Sequence, residues 1–329
     1  MTSILTRMLN LIGNFIALAL FLGVLLVAAG VAMVAIPGPA TEKKTVIIPK
    51  NSGSQQIGRI LAENGIVHHA LQFALPAHFV AHGRLRAGEY EIAPQITVLD
   101  LIARLQSGET VAHKISIPEG LTSTEIVALL QADSILTGEI KEIPAEGVLL
   151  PETYHYSYGD AREMMIARMR KLAETTFDVL WSQRAPDLPF TTPQQARILA
   201  SIVEKETGKA DERPRVAGVF VNRIKQGIKL QSDPTVIYAM TGGKAPLGRS
   251  LTHEDLSTAS PYNTYENVGL PPAPIANPGR AALEAVLHPE KNDFIYFVAD
   301  GTGGHVFAKT LDEHNANVAR WRKIRSENP

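Results

Sequence analysis

The sequence predicts an α+β protein built from three consecutive parts: an apolar N-terminal helix, a small module of strands and helices, and a larger mixed α+β domain. Three observations predict it. No charged side chain occurs between Met8 and Thr41. A strand-then-helix pattern recurs 69 residues further on. Beyond it, segments of helical period alternate with short β-rich runs such as Phe294-Ile295-Tyr296-Phe297-Val298-Ala299. The expected boundaries are 1–41 for a short tail, the apolar helix and a linker, 42–112 for the small module, and 113–329 for the larger domain. The last includes a second strand–helix segment at 113–145.

The 329 residues suit about two domains at the usual ~150 residues each. A net charge of −1 lacks the basic excess of a nucleic-acid-binding protein. The chain has no cysteine, so disulfides and thiolate metal sites are excluded and an oxidising compartment does it no harm. The apolar run Leu11 to Ile36 exceeds the ~20 residues a helix needs to span a bilayer, and the ~7–15 of a signal-peptide core. It predicts a single-pass anchor; Ala28, Ala29 and Ala32 keep a cleavage site open as the alternative. Flanking charges (Arg7 on one side; Glu42, Lys43 and Lys44 on the other) do not fix the orientation. A short N-terminal tail left in the cytoplasm puts the large domain outside the inner membrane. Pro37, Gly38 and Pro39 end the helix.

In the small module, Val46-Ile47-Ile48-Pro49 matches Ile115-Ser116-Ile117-Pro118, and Ser54, Ile57 and Leu61 match Ser123, Ile126 and Leu130. Each copy predicts a strand, a turn and an amphipathic helix capped by Ser54 or Ser123. Ala87 to Ile92 predicts a second strand. Thr97 to Gln106 predicts a helix stopped at Gly108, with Val98, Leu101, Ile102 and Leu105 inward. This pattern resembles a LysM-like glycan-binding fold; a generic α+β spacer fits it equally. His68, His69, His78 and His82 are expected on the module's surface.

In the larger domain, helices are expected near 161–182, from Thr191 or Thr192 with Pro193 through Glu206, from about 211 to 226, after Ser232-Asp233-Pro234, after Asn277-Pro278, and from Leu311 to Arg325. The loop 269–279 holds four prolines and is either the wall of a groove or a rigid connector. Asp300-Gly301-Thr302-Gly303-Gly304 joins strand to strand, which predicts a hairpin and not a phosphate loop.

One helix carries a chemical anomaly. In Ala200-Ser201-Ile202-Val203-Glu204-Lys205-Glu206-Thr207-Gly208, Leu199, Ile202 and Val203 mark the apolar face, and Glu206 falls between them. Glu204 points the other way and is expected to be solvated. Apolar neighbours, and the negative helix end before a stop at Gly208, should raise the Glu206 pKa and allow it to act as a general acid. Helix position alone does not distinguish that from a buried Glu paired with Arg or capping a loop. No HExxH spacing or Gly-x-Ser-x-Gly elbow occurs, so neither a metal site nor a serine nucleophile is expected.

Several motifs then bear on identity: Glu204-Lys205-Glu206-Thr207, Val219 to Arg223, Leu230-Gln231-Ser232-Asp233-Pro234-Thr235 through Tyr238, Tyr262-Asn263-Thr264-Tyr265, Gly269-Leu270-Pro271-Pro272, Phe297 to His305, and Leu150 to Tyr154. Together, in this order, they resemble the MltG (YceG-like) family of endolytic murein transglycosylases. The resemblance implies an inner-membrane anchor, a LysM-like part and an extracytoplasmic catalytic domain. It also implies Glu206 as the catalytic residue at a helix C-terminus, no cofactor, peptidoglycan glycan strands as substrate, and peptidoglycan synthases (penicillin-binding proteins) as neighbours. Glu152, Tyr154, Thr207, Asn222, Gln231, Asp233, Thr235, Tyr238, Tyr262 and Asn263 are candidates for sugar contact or for orienting Glu206, and Tyr156 for stacking. Each has a plain structural alternative; Asp233 caps a helix most simply and Asn222 bonds a loop. Two other functions stay open: a water-using muramidase with Asp233 or Glu152 as second carboxylate, and a non-catalytic glycan-binding scaffold.

Overall fold

The computed structural model describes residues 2–81 and 85–327. His82 lies outside the described residues. The chain divides into two units, residues 1–113 with 156–159, and 114–155 with 160–329.

The first unit starts with α1 (Thr2–Ala35), whose segment Leu11–Ala35 is long and apolar enough to cross a membrane. Strand β1 (Lys44–Ile48) pairs antiparallel with β2 (Gly88–Ile92), Lys44 opposite Ile92 and Ile48 opposite Gly88. The period of two turns Val46, Ile48, Tyr90 and Ile92 into the core. Helices α2 (Ser54–Glu63) and α3 (Ala70–Val80) lie between these strands in the chain, and α4 (Val98–Ser107) follows. Val98, Leu101, Ile102 and Leu105 are buried as their spacing predicts; Thr97 caps the helix and Gly108, at φ 71°, ends it. Ser54 does not cap α2: Gly53 holds that position without a side-chain bond. Nor does Ser123 cap its helix. Thr122 does, in a capping box with Glu125, because its extended backbone just before the helix turns the hydroxyl back onto the Glu125 N–H, whereas Ser123 is already helical.

Strand β3 (Ala112–Ser116) pairs with β4 (Thr153–Ser157), and α5 (Ser123–Ala132) lies between them in the chain. The second unit is mainly helical: α6 (Arg162–Ser182), α7 (Pro193–Glu206), α8 (Arg213–Lys225), α9 (Asp233–Thr241) and α10 (Arg280–Leu287). Thr192 and Gln195 form a capping box at the start of α7, with Pro193 in its first turn. Leu199, Ile202 and Val203 of α7 meet Val216 and Phe220 of α8 and Leu283 and Val286 of α10 in one buried core. A hairpin of β5 (Tyr296–Ala299) and β6 (His305–Ala308) leads to α11 (Leu311–Glu327).

The proline loop packs along α7. Ile275 N–H donates to the buried Ser201 hydroxyl at 3.0 Å. Asn277, fully buried, accepts from Gly147 and Leu149 N–H, both at 3.0 Å, and donates to Leu121 and Ser123. This is the connector reading of the loop: four stiff residues set a clasp against the back of the helix.

Candidate active site

The end of α7 carries two carboxylates with opposite outlooks. Glu204 does not sit in solvent as the helical wheel suggests; its side chain is 4% exposed. It accepts from Gly279 N–H at 2.7 Å and lies 3.7 Å from the Arg213 guanidinium. The wheel gives a direction but not what covers it, and here the proline loop returns over that face. A Cβ at Gly279 would strike the half-exposed Glu119 side chain, which would have to swing aside.

Glu206 is the last residue of α7. The helix stops at Thr207, which is extended, and not at Gly208. One Glu206 oxygen accepts from Ser232 Oγ at 2.6 Å. Burial pushes the carboxyl up to about 7, against the Ser232 hydrogen bond, which lowers it; the Asp233 charge adds to the rise and Arg223 opposes it. The helix end favours the protonated form as well. A carboxyl raised that far is able either to give or to take a proton at neutral pH.

Its open side faces a cleft of about 430 Å³ lined by Arg223, Gln231, Asp233, Tyr265, His305 and His314, with Phe297, Val298 and Ala299 of β5. Its size is that of a small-ligand site, and its lining is more polar than most such sites. Each wall is fixed from behind. Arg223 donates to the Ile295 and Leu230 carbonyls at 2.6 and 2.8 Å. Tyr265 donates to Asp233 at 2.6 Å, so Asp233 does not cap α9 by its side chain. His305 Nδ1 lies 2.8 Å from the buried Glu212, which also accepts the His305 backbone N–H at 3.2 Å. Gly304 makes room for that carboxylate, because a Cβ would stand 2.5 Å from it. His314 stacks on Tyr296, and its buried Nδ1 has no hydrogen-bond partner among the described residues. Burial and then the Arg223 cation hold this imidazole below its ordinary value, which favours its neutral form.

Gln231 adopts φ 52°, a left-handed conformation that a side chain rarely takes, where the chain turns toward Glu206. The turn is tied down by Gln231 N–H to Thr264 O at 3.1 Å and Ser232 N–H to Thr264 Oγ1 at 3.0 Å.

Of the residues expected at the site, Glu206, Gln231 and Asp233 line the cleft. Thr235 and Asn263 stand behind it. Thr235 is fully buried and bonds Thr264 Oγ1 at 2.8 Å; Asn263 bonds the Leu256 and Thr258 carbonyls and so holds the 256–265 loop. Tyr238 and Tyr262 pair their rings at 4.9 Å. Thr207 is buried and accepts from Lys209 N–H at 3.1 Å, and Asn222 holds the Asn292 and Phe294 carbonyls, both at 2.9 Å. Glu152 is exposed and accepts from its neighbour Thr153 N–H, outside the cleft lining. Tyr154 and Tyr156 are buried in their strand, Tyr154 donating to Leu150 O, so neither ring offers a face for stacking. Ser232, Arg223, Tyr265, His305 and His314 were not singled out. The first four lie inside the quoted motifs; His314 had no signal. Among the described residues no three His, Cys, Asp or Glu side chains converge as a metal site.

The sequence matches the YceG-like family over residues 46–320, and the chain belongs to that family. It is 31% identical to the endolytic murein transglycosylase of Bacillus subtilis over 322 residues, covering 87% of each chain. It is also 31% identical to the endolytic murein transglycosylase of Streptococcus pneumoniae over 333 residues, covering 86% of this chain and 60% of that protein. The chain thus spans well under two thirds of the pneumococcal protein's length. A solved yceG-like protein from Listeria monocytogenes shares the fold, at TM-score 0.53 and 31% identity over 84% of this chain and 98% of that one.

Proposed function

We propose that the chain is a membrane-anchored endolytic murein transglycosylase with Glu206 as its general acid and base. The observation that carries this reading is Glu206 itself: a carboxyl raised to about 7, held by Ser232, opening on a cleft. Protonated Glu206 gives its proton to the oxygen linking N-acetylmuramic acid to N-acetylglucosamine, and the bond from that oxygen to the muramyl C1 breaks. The resulting carboxylate takes the proton of the muramyl 6-hydroxyl, whose oxygen bonds to C1. The products are a 1,6-anhydro-muramyl end and a free N-acetylglucosamine end, with no water consumed. Because the nucleophile belongs to the substrate, one protein carboxylate suffices where ordinary glycosidases use two.

The names of the relatives support this substrate. The Leu11–Ala35 segment supports a single-pass anchor; the inner membrane, with the catalytic part outside, is where such an anchor would bring the domain to the murein named for its relatives. The β1–α2–α3–β2 order with its antiparallel strand pair supports a LysM-like, glycan-binding role for the first unit. Beside membrane-bound peptidoglycan synthases, such an enzyme would end or release growing strands.

One observation favours a second reading: Asp233 lines the same cleft and would suit activation of water by a muramidase. The ends of the products separate the two. Mass spectrometry of fragments from uncrosslinked glycan strands should give internal cuts ending in anhydro-muramyl groups. Fragments one water heavier, with reducing ends, would make the enzyme a hydrolase. Intact strands that are bound but not cut would leave a glycan-binding scaffold.

A further inference from the structure

We infer that α3 lies in the membrane interface beside the exit of α1, with its outer face in contact with lipid. The inference rests on reading α1 as a membrane span. Helix α3, Ala-Leu-Gln-Phe-Ala-Leu-Pro-Ala-His-Phe-Val, carries no Asp, Glu, Lys or Arg. Its inner face buries Phe73, Ala74 and Ala77. Its outer face leaves Leu71, Leu75 and Phe79 exposed at 59, 47 and 71%. At a spacing of four these three form one stripe. The neighbouring α2 behaves differently, turning Gln55, Gln56, Arg59 and Glu63 outward. A helix apolar on both faces needs apolar surroundings on both, and the core supplies only one.

The position of α3 names the other. Gln72, on α3, donates to the Met33 carbonyl of α1 at 3.4 Å, and Val34 of α1 packs on the module's core. The last turns of α1 therefore hold α3. At ~1.5 Å per residue, the 25 residues of Leu11–Ala35 exceed the ~30 Å hydrocarbon thickness by a turn or more. Met33 and Val34 then emerge at the level of the headgroups, and the stripe on α3 extends the lipid-facing surface of α1. Interfacial helices bury an apolar face at this depth; on α3 the opposite face rests on the module's core instead of in water. Docked this way, the module is held against the bilayer by two elements, not swung from a single linker.

The absence of native cysteine permits a direct test on the full chain. Single variants Val24→Cys, Gln56→Cys, Leu75→Cys and Phe79→Cys change exposed side chains only. Each is nitroxide-labelled, reconstituted in phosphatidylcholine–phosphatidylglycerol vesicles, and probed for collision with oxygen, which enters lipid, and with a nickel chelate, which stays in water. Labels at 24, 75 and 79 should favour oxygen several-fold over the label at 56. Nickel-accessible labels at 75 and 79, with 24 in lipid, would overturn the inference and leave the span intact. Shielding of 75 and 79 from both reagents would overturn it in favour of a protein cover. A water-exposed label at 24 would overturn the span and the inference together.

Discussion

Glu204 and Glu206 stand two residues apart on one helix, both largely buried, and burial raises the pKa of both. They differ in what surrounds the charge. Glu204 has a backbone N–H at 2.7 Å and a guanidinium at 3.7 Å, and the proline loop closes over it. Glu206 has a single hydroxyl and an open cleft. Burial alone therefore does not define a general acid. A buried carboxylate that its surroundings have compensated serves as a structural post, and one left half-compensated beside a cavity is, on the proposed function, the reagent.

The largest expected contrast comes from removing each in turn. Glu206→Gln should lower strand cleavage roughly 10²–10⁴-fold, the usual worth of a general acid–base group. Glu204→Gln should leave cleavage within several-fold but cost about 1–3 kcal/mol of stability, because Arg213 loses a buried partner. Turnover and denaturant titrations of the same two proteins measure both effects.

Stability against pH should report Glu206 directly. The Glu206 pKa is raised from 4.5 to about 7 on folding, so the folded state binds this proton more tightly. Stability is then fullest below about 4.5 and is lost as pH rises through about 7. Glu206→Gln removes that loss and should be more stable than the parent at pH 8 by about 1–3 kcal/mol, discounted for the solvent on its cleft side, and nearly equal at pH 4. Activity should fall along the same limb, since it needs the protonated acid. An identical pH dependence of stability in parent and variant would break the comparison.

Smaller effects should sharpen it. Ser232→Ala removes the bond that favours the charged form, so the alkaline limb of the rate profile should move up; Asp233→Asn removes the like charge and should move it down. Opposite shifts in one pH–rate series would assign both neighbours. Thr235→Val, acting through Thr264, should be smallest, about 1–2 kcal/mol in stability with the limb unmoved.

The position of Glu206 was legible because a helix period is local: Leu199, Ile202 and Val203 mark a face within eight residues. The surroundings of Glu204 were not, because Gly279 returns from 75 residues away. The start of α4 at Thr97, the start of α7 at Thr191 or Thr192 with Pro193, and the hairpin turn were legible for the same local reason, whereas the caps expected at Ser54 and Ser123 fall one residue earlier, at Gly53 and Thr122. At the cleft, residue type left two readings open for Asn222, Thr235 and Asn263, sugar contact or structure, and their hydrogen bonds follow the structural one: Asn222 and Asn263 hold loop carbonyls, and Thr235 bonds Thr264. His305 and His314 line it through a hairpin and a C-terminal helix, elements that nothing in their local pattern linked to α7. The apolar outer face of α3 was unread because an 11-residue apolar run with an internal proline does not separate core from interface.

The measurement closest to the central claim is cleavage of uncrosslinked glycan strands by the parent, Glu204→Gln and Glu206→Gln proteins, side by side, with product ends read by mass. The parent and Glu204→Gln should yield anhydro-muramyl ends, and a folded Glu206→Gln none. Anhydro ends still formed by Glu206→Gln, or lost in a folded Glu204→Gln, would contradict that claim.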